Sequence, residues 1–202
     1  MEETTLITAA VALFTICNPI GTLPVFLSVT EGRTPAQQRR IAIMTGVGVM
    51  AILTVSLLLG ATILQFFGVG IPALKIAGFL FVASIAWAMM TRTGAIIPAQ
   101  NNGDPAIVPL AMPIVAGPGA IALVIAFAKE NPALTDYLWG IVIVAISALA
   151  TALIYFFGPY LAKLLGEAGM NIFQKVFGLI LLAICVQQIL TALPVVWPGL
   201  VK

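Results

Sequence analysis

The sequence predicts an all-α integral membrane protein of six transmembrane helices, arranged as two inverted three-helix repeats with spans 1 and 4 discontinuous. Three observations carry that expectation. Only 8% of the 202 residues are charged and 61% are hydrophobic, with a mean hydropathy of +1.15. Soluble domains average about 25% charged residues, so lipid must be the main solvent here. The apolar residues form runs long enough for about six spans of roughly 20 residues each, leaving no room for a soluble domain. Proline–glycine interruptions recur at matching places in the two halves.

The elements follow in order. Span 1 covers about residues 4–29 and is interrupted at Asn18-Pro19. The polar stretch 31–40 reads as a loop, and span 2 as about 41–67. Gly68 to Pro72 reads as a tight turn before span 3, about 73–90. Asn101-Asn102-Gly103-Asp104-Pro105 is the strongest turn signal in the chain. Span 4, about 107–128, is interrupted at Gly117-Pro118-Gly119, and a short polar loop, 129–136, follows. Span 5 is about 137–161, and a loop with Lys163, Gly166, Glu167 and Gly169 leads to span 6, about 172–193. Each run reads as helix because lipid offers no partners to backbone polar groups. Residues 1–202 form a single transmembrane domain, with repeat one about 1–95 and repeat two about 104–202.

Loop cations set the expected orientation. Arg33, Arg39, Arg40, Arg92 and Lys163 fall on one side, with Lys175 close by; Lys129 and Lys202 fall on the other, with Lys75 close by. The first side is expected to be cytoplasmic and both termini to lie outside the cytoplasm, in a cell inner (plasma) membrane. Met1-Glu2-Glu3 has no basic stretch and no clear cleavage site, so the N-terminus does not read as a secretory signal. A net charge of +2 gives no reason to expect nucleic acid as a partner. Cys17 and Cys185 lie inside apolar runs and read as buried free thiols.

The two halves match at a shift of roughly one hundred residues. Asn18-Pro19-Ile20-Gly21 corresponds to Gly117-Pro118-Gly119, Lys75-Ile76-Ala77-Gly78 to Lys175-Val176-Phe177-Gly178, and Leu59-Gly60 to Phe157-Gly158. A three-span repeat must point the opposite way the second time, the architecture of many secondary transporters.

The interruptions carry the chemistry. Pro19 removes a backbone donor and clashes with the preceding turn, and Gly21 is expected to permit a positive φ. A broken helix leaves free carbonyls and the negative dipole end on one half, and free N–H groups and the positive end on the other. A small zwitterion such as an amino acid fits that pair of poles. Thr22 is expected to cap the second half of span 1, and Asn18 to bond substrate or backbone. Asn18, Pro19, Gly21, Thr22, Gly117, Pro118, Gly119 and Ala120 are therefore the expected substrate-binding residues.

What is missing narrows the classes. The chain has no His, and Glu31, Asp104, Glu130, Asp136 and Glu167 all fall in loops or at span ends. No nucleophile–base set, metal cluster or buried carboxylate pair is legible, so neither an enzyme nor a cofactor is expected. Coupling to H⁺ or Na⁺ would use backbone carbonyls or an end-of-span acid. Lys75 and Lys175 read either as cations snorkelling to the headgroups or as a gate. Gln187 and Gln188, late in span 6, read either as cavity-facing or as bonding neighbouring helices. Ala42 with Gly46, Ser56 with Gly60, and Gly140, Ala148 and Ala152 form small-residue faces suited to helix packing, with Ser147 and Thr151 beside them. The alternatives to a carrier are a non-transporting scaffold and a membrane-embedded enzyme.

Asn18-Pro19-Ile20-Gly21-Thr22-Leu23-Pro24 resembles the "NPxGxxP" stretch of MarC-family membrane proteins. Pro109-Leu110-Ala111-Met112-Pro113-Ile114-Val115-Ala116-Gly117-Pro118-Gly119-Ala120 resembles that family's second signature. Gly178-Leu179-Ile180-Leu181-Leu182-Ala183, followed by Gln187, resembles its last span. The resemblance covers essentially the whole chain. It implies six spans and membership of a lysine-exporter-like superfamily, some of whose MarC members (SnatA) carry small neutral amino acids. A substrate of the glycine, alanine or serine class is the resulting expectation, consistent with few aromatics (8%) and no midplane charge.

Overall fold

A computed structural model describes residues 3–91 and 106–197. The turn expected at 101–105, with Arg92 and Asp104, lies outside the described residues, as do Glu2 and Lys202. The regular elements among the described residues are all helices: α1 (Glu3–Cys17), α2 (Leu23–Val29), α3 (Pro35–Phe66), α4 (Ile71–Thr91), a π-helix (Ala106–Val115), α5 (Pro118–Glu130) and α6 (Leu134–Val196). Gly166 (φ 65°, ψ 178°) divides the last into α6a (Leu134–Gly166) and α6b (Ala168–Val196).

Four of these helices are long and apolar enough to cross a membrane. They are α3, α4, α6a and α6b, with mean hydropathies of 2.4, 1.8, 2.4 and 2.3 over their most apolar windows. At 1.5 Å per residue the 32 residues of α3 reach about 48 Å, well beyond a hydrocarbon core of about 30 Å. The remaining helices have 15, 7, 10 and 13 residues, and none of them reaches across alone. They are the four pieces left by the two interruptions.

Two helix ends differ from the sequence reading. The segment 31–40 is not all loop: a capping box starts α3 at Pro35. The Gln37 amide donates to Thr34 Oγ1 (3.3 Å) and the Thr34 amide to Gln37 Oε1 (2.9 Å). Arg39 and Arg40 therefore lie on the helix. Gln38 Nε2 donates to the Thr30 carbonyl (3.1 Å), tying the end of α2 to that first turn. The loop expected around Lys163–Gly169 shrinks to the break at Gly166, so Lys163 also is helical. Gly140, near the start of α6a, faces Phe127 of α5, while Thr191 and Val195, near the end of α6b, share a recess with Lys129 and Glu130. The chain thus doubles back at Gly166.

The expected small-residue faces do pack helices. A Cβ on Gly46 would lie 2.7 Å from Ala152 Cβ, and one on Gly140 would lie 2.9 Å from Leu57 Cδ2. This pairing runs α3 and α6a antiparallel. Gly60 of α3 seats Ile125 of α5, and Gly158 of α6a seats Leu23 of α2. Val49, Leu53, Val144 and Tyr155 are fully buried in the centre, while Val47, Leu58, Leu149 and Leu190 stand exposed on the outside. In water so broad an apolar belt would drive aggregation; in lipid it is the expected surface. Cys17 and Cys185 are buried free thiols.

Candidate functional site

Both interruptions occur where the sequence places them, and they are built differently. The first is organised by Asn18. Its amide donates to the Phe14 carbonyl (2.9 Å), ending α1, and its φ of 43° then turns the chain. Asn18 thus takes the positive φ expected of Gly21. Asn tolerates the left-handed region because its short polar side chain bonds locally. That bond is present: the Gly21 amide donates to Asn18 Oδ1 at 3.1 Å. Gly21 contributes room instead, since a Cβ there would fall on the Asn18 side-chain amide. Pro19 and Gly21 are both buried in this turn.

Thr22 does not cap α2. Its side chain makes no capping bond. Its hydroxyl donates to the Asn18 carbonyl (3.0 Å) and meets the Tyr155 hydroxyl at 2.7 Å. A threonine has one hydroxyl proton, so Tyr155 is the donor in that second bond. Tyr155 is fully buried on α6a and stacks on Phe26 of α2, with ring centroids 4.6 Å apart. One turn on, Gly158 receives Leu23. A hydrogen bond, a ring stack and a fitted Leu therefore clasp α2 to α6a.

The second interruption is backbone chemistry. The Ala116 amide donates to the Ala111 carbonyl (2.8 Å), a five-residue spacing that closes the π-helix. Gly117 is the N-cap of α5, in extended conformation (φ −73°, ψ 170°), and Pro118 occupies the first turn without an N–H to satisfy. No side chain caps this helix. The first-turn amides of Gly119 and Ala120 therefore have no intrahelical acceptor, although both residues are buried. Gly78 of α4 allows the approach. A Cβ there would lie 2.9 Å from the Gly119 nitrogen, and one on Gly119 would lie 2.6 Å from Phe79 Cζ. α1, which ends at the first interruption, packs against both the π-helix and α5, the two helices that flank the second.

Residues 3–196 match the family model described as the MarC family integral membrane protein. The chain belongs to the MarC family. It is 34% identical over 203 residues to the UPF0056 membrane protein YhcE of Escherichia coli, covering 95% of this chain and 93% of that one. It is 30% identical over 199 residues to YvbG of Bacillus subtilis, covering 94% of each. A UPF0056 membrane protein of Pyrococcus horikoshii is 34% identical over 189 residues, covering 90% of each. No solved structure matches the chain significantly. Family and apolar helices together make this an integral, multi-pass membrane protein.

In this MarC protein buried polar groups extend beyond the expected residues. Asn18 Nδ2, Thr54 Oγ1 and Ser147 Oγ are buried without a hydrogen-bond partner. Thr151 donates to the Ser147 carbonyl (2.9 Å). Ser147, Thr151 and Tyr155 recur every four residues and share one face of α6a. The sequence reading named the first two and missed Tyr155, which the same spacing reaches one turn later. Lys75 and Lys175, matched with each other on sequence, differ in setting: Lys75 is half-buried in a recess and Lys175 is exposed. Gln187 is exposed, and Gln188 is half-buried.

Proposed function

We propose that this MarC protein is a secondary carrier of small neutral amino acids of the glycine, alanine and serine class. In this reading it forms six spans in an inner membrane, as two inverted three-helix repeats with both termini outside the cytoplasm. The antiparallel α3–α6a pair supports the repeat. So does the reciprocal seating of α5 on Gly60 and of α2 on Gly158, since each helix following an interruption rests on the other half. Arg39 and Lys163 on one end of the helices, against Lys129 on the other, support the orientation.

One observation carries the reading: two helix interruptions are buried in a protein whose surroundings are lipid, and both leave polar groups unpartnered. Unpaired backbone in lipid is tolerated where protein or a water-filled cavity supplies partners. The Asn18 side-chain amide and the first-turn amides of α5 offer donors for a carboxylate, and the carbonyl end of α1 faces an ammonium favourably. No carboxylate or metal enters this scheme, and the carrier performs no covalent chemistry. Alternating access in such a scheme moves one half against the other around the site.

Uptake of labelled glycine, alanine and serine into proteoliposomes, with H⁺ and Na⁺ gradients imposed separately, tests the proposal and identifies the coupling ion. A carrier also shows a saturable thermal shift with its substrate in detergent. The absence of uptake, counterflow and thermal shift for all three amino acids would refute it.

A further inference from the structure

Away from both interruptions, a recess of about 440 Å³ opens where α4 begins and where α5 and α6b end. Lys75 of α4 and Lys129 and Glu130 of α5 line it, among apolar neighbours that include Ile71, Ala126 and Val195. The whole chain has nine basic and seven acidic residues, so three charges in one recess are a concentration that packing does not require.

The lysines do not serve the same local purpose. Lys129 lies in the last turn of α5, where the helix dipole favours a cation. Lys75 lies in the second turn of α4, near the end where the dipole opposes one. Lys75 is half-buried, whereas its repeat counterpart Lys175 is exposed, so the recess is not a by-product of the repeat. Among the described residues no ion pair joins either lysine to Glu130. The recess is thus lined by two ammonium groups and one carboxylate beside apolar walls, with Lys75 half-buried and Lys129 and Glu130 exposed at its mouth.

We infer that this recess binds a small zwitterion that pairs an anion with a primary ammonium. The anion, phosphate or carboxylate, engages Lys75 and Lys129; the ammonium engages Glu130. Two molecules carry that chemistry: the ethanolamine headgroup of a bilayer phospholipid and a free α-amino acid. The inference stands apart from the transport reading, because α5 separates the recess from the Gly117–Pro118 interruption by about 18 Å of helix at 1.5 Å per residue.

The test uses the full-length protein and two probes. Native mass spectrometry of protein released from mixed phosphatidylethanolamine–phosphatidylcholine bilayers reads retained lipid. Equilibrium dialysis with labelled alanine, in an Asn18→Gly background so that binding at the interruption is weakened, reads the free amino acid. Lys75→Gln and Lys129→Gln should each weaken the probe that binds by roughly tenfold, the loss of one charge-assisted contact. Glu130→Gln should abolish the preference for ethanolamine over choline, whose quaternary ammonium donates no hydrogen bond. Selective loss of phosphatidylethanolamine identifies the lipid source, and loss of alanine binding identifies the free amino acid. If neither phosphatidylethanolamine on the wild-type protein nor alanine on the Asn18→Gly protein is bound, or if both lysine variants retain the bound probe fully, the inference is overturned.

Discussion

Replacing Tyr155 by Phe deletes one oxygen and leaves the ring on Phe26, which makes it a clean test of the clasp between α2 and α6a. The Thr22 hydroxyl would lose the proton it accepts at 2.7 Å but keep its bond to the Asn18 carbonyl. Hydrogen bonds contribute about 0.5–1.5 kcal/mol net in proteins, with a mean of about 0.6 kcal/mol between membrane helices. Tyr155→Phe should therefore destabilise by about 1 kcal/mol. Tyr155→Ala should cost about 3–5 kcal/mol, because a fully buried ring leaves a cavity. Thr22→Val keeps the shape and removes both hydroxyl bonds. A double-mutant cycle of Thr22→Val and Tyr155→Phe isolates the shared bond, with an expected coupling of about 0.5–1.5 kcal/mol. Denaturant unfolding of the purified protein in mixed micelles supplies the four free energies. Strict additivity would mean that the hydroxyl pair does not hold α2 to α6a. A cost for Tyr155→Phe equal to that of Tyr155→Ala would mean that the ring stack contributes nothing.

Three further outcomes follow from the same geometry. Gly78→Ala should destabilise by about 1–3 kcal/mol and release the start of α5, because the new Cβ meets Pro118 and backbone rather than a movable side chain; Gly60→Ala, which meets only the Ile125 side chain, should cost less in the same unfolding assay. Asn18→Gly keeps the positive φ but removes the free amide. It also removes the acceptor of the buried Gly21 amide, so it should cost about 1–3 kcal/mol while weakening alanine binding roughly tenfold, measured by thermal shift. Gly166→Val should cost about 1–3 kcal/mol through backbone strain alone, since a Cβ at Gly166 meets nothing within 4 Å; wild-type stability there would show that the turn relaxes.

The sequence alone determined the solvent, the helical class and the positions of both interruptions. Too few charges leave no way to face water, and a Pro–Gly pair acts on the turn it occupies. Such effects are complete within a few adjacent residues. The start of α3 was equally local: Thr34-Pro35-Ala36-Gln37 is a capping signature, yet its polar residues read as loop. Other features required the tertiary structure. Which residue takes the positive φ at the first interruption depends on the bonds available there, and Asn18 supplies its own. Tyr155 lies 133 residues from Thr22, and only the packing of α6a on α2 makes the two hydroxyls partners. The recess is likewise set by three helix ends whose sequences say nothing of one another. Periodicity marks the buried face of a helix, but the partner of that face is decided by shape and contact across the fold.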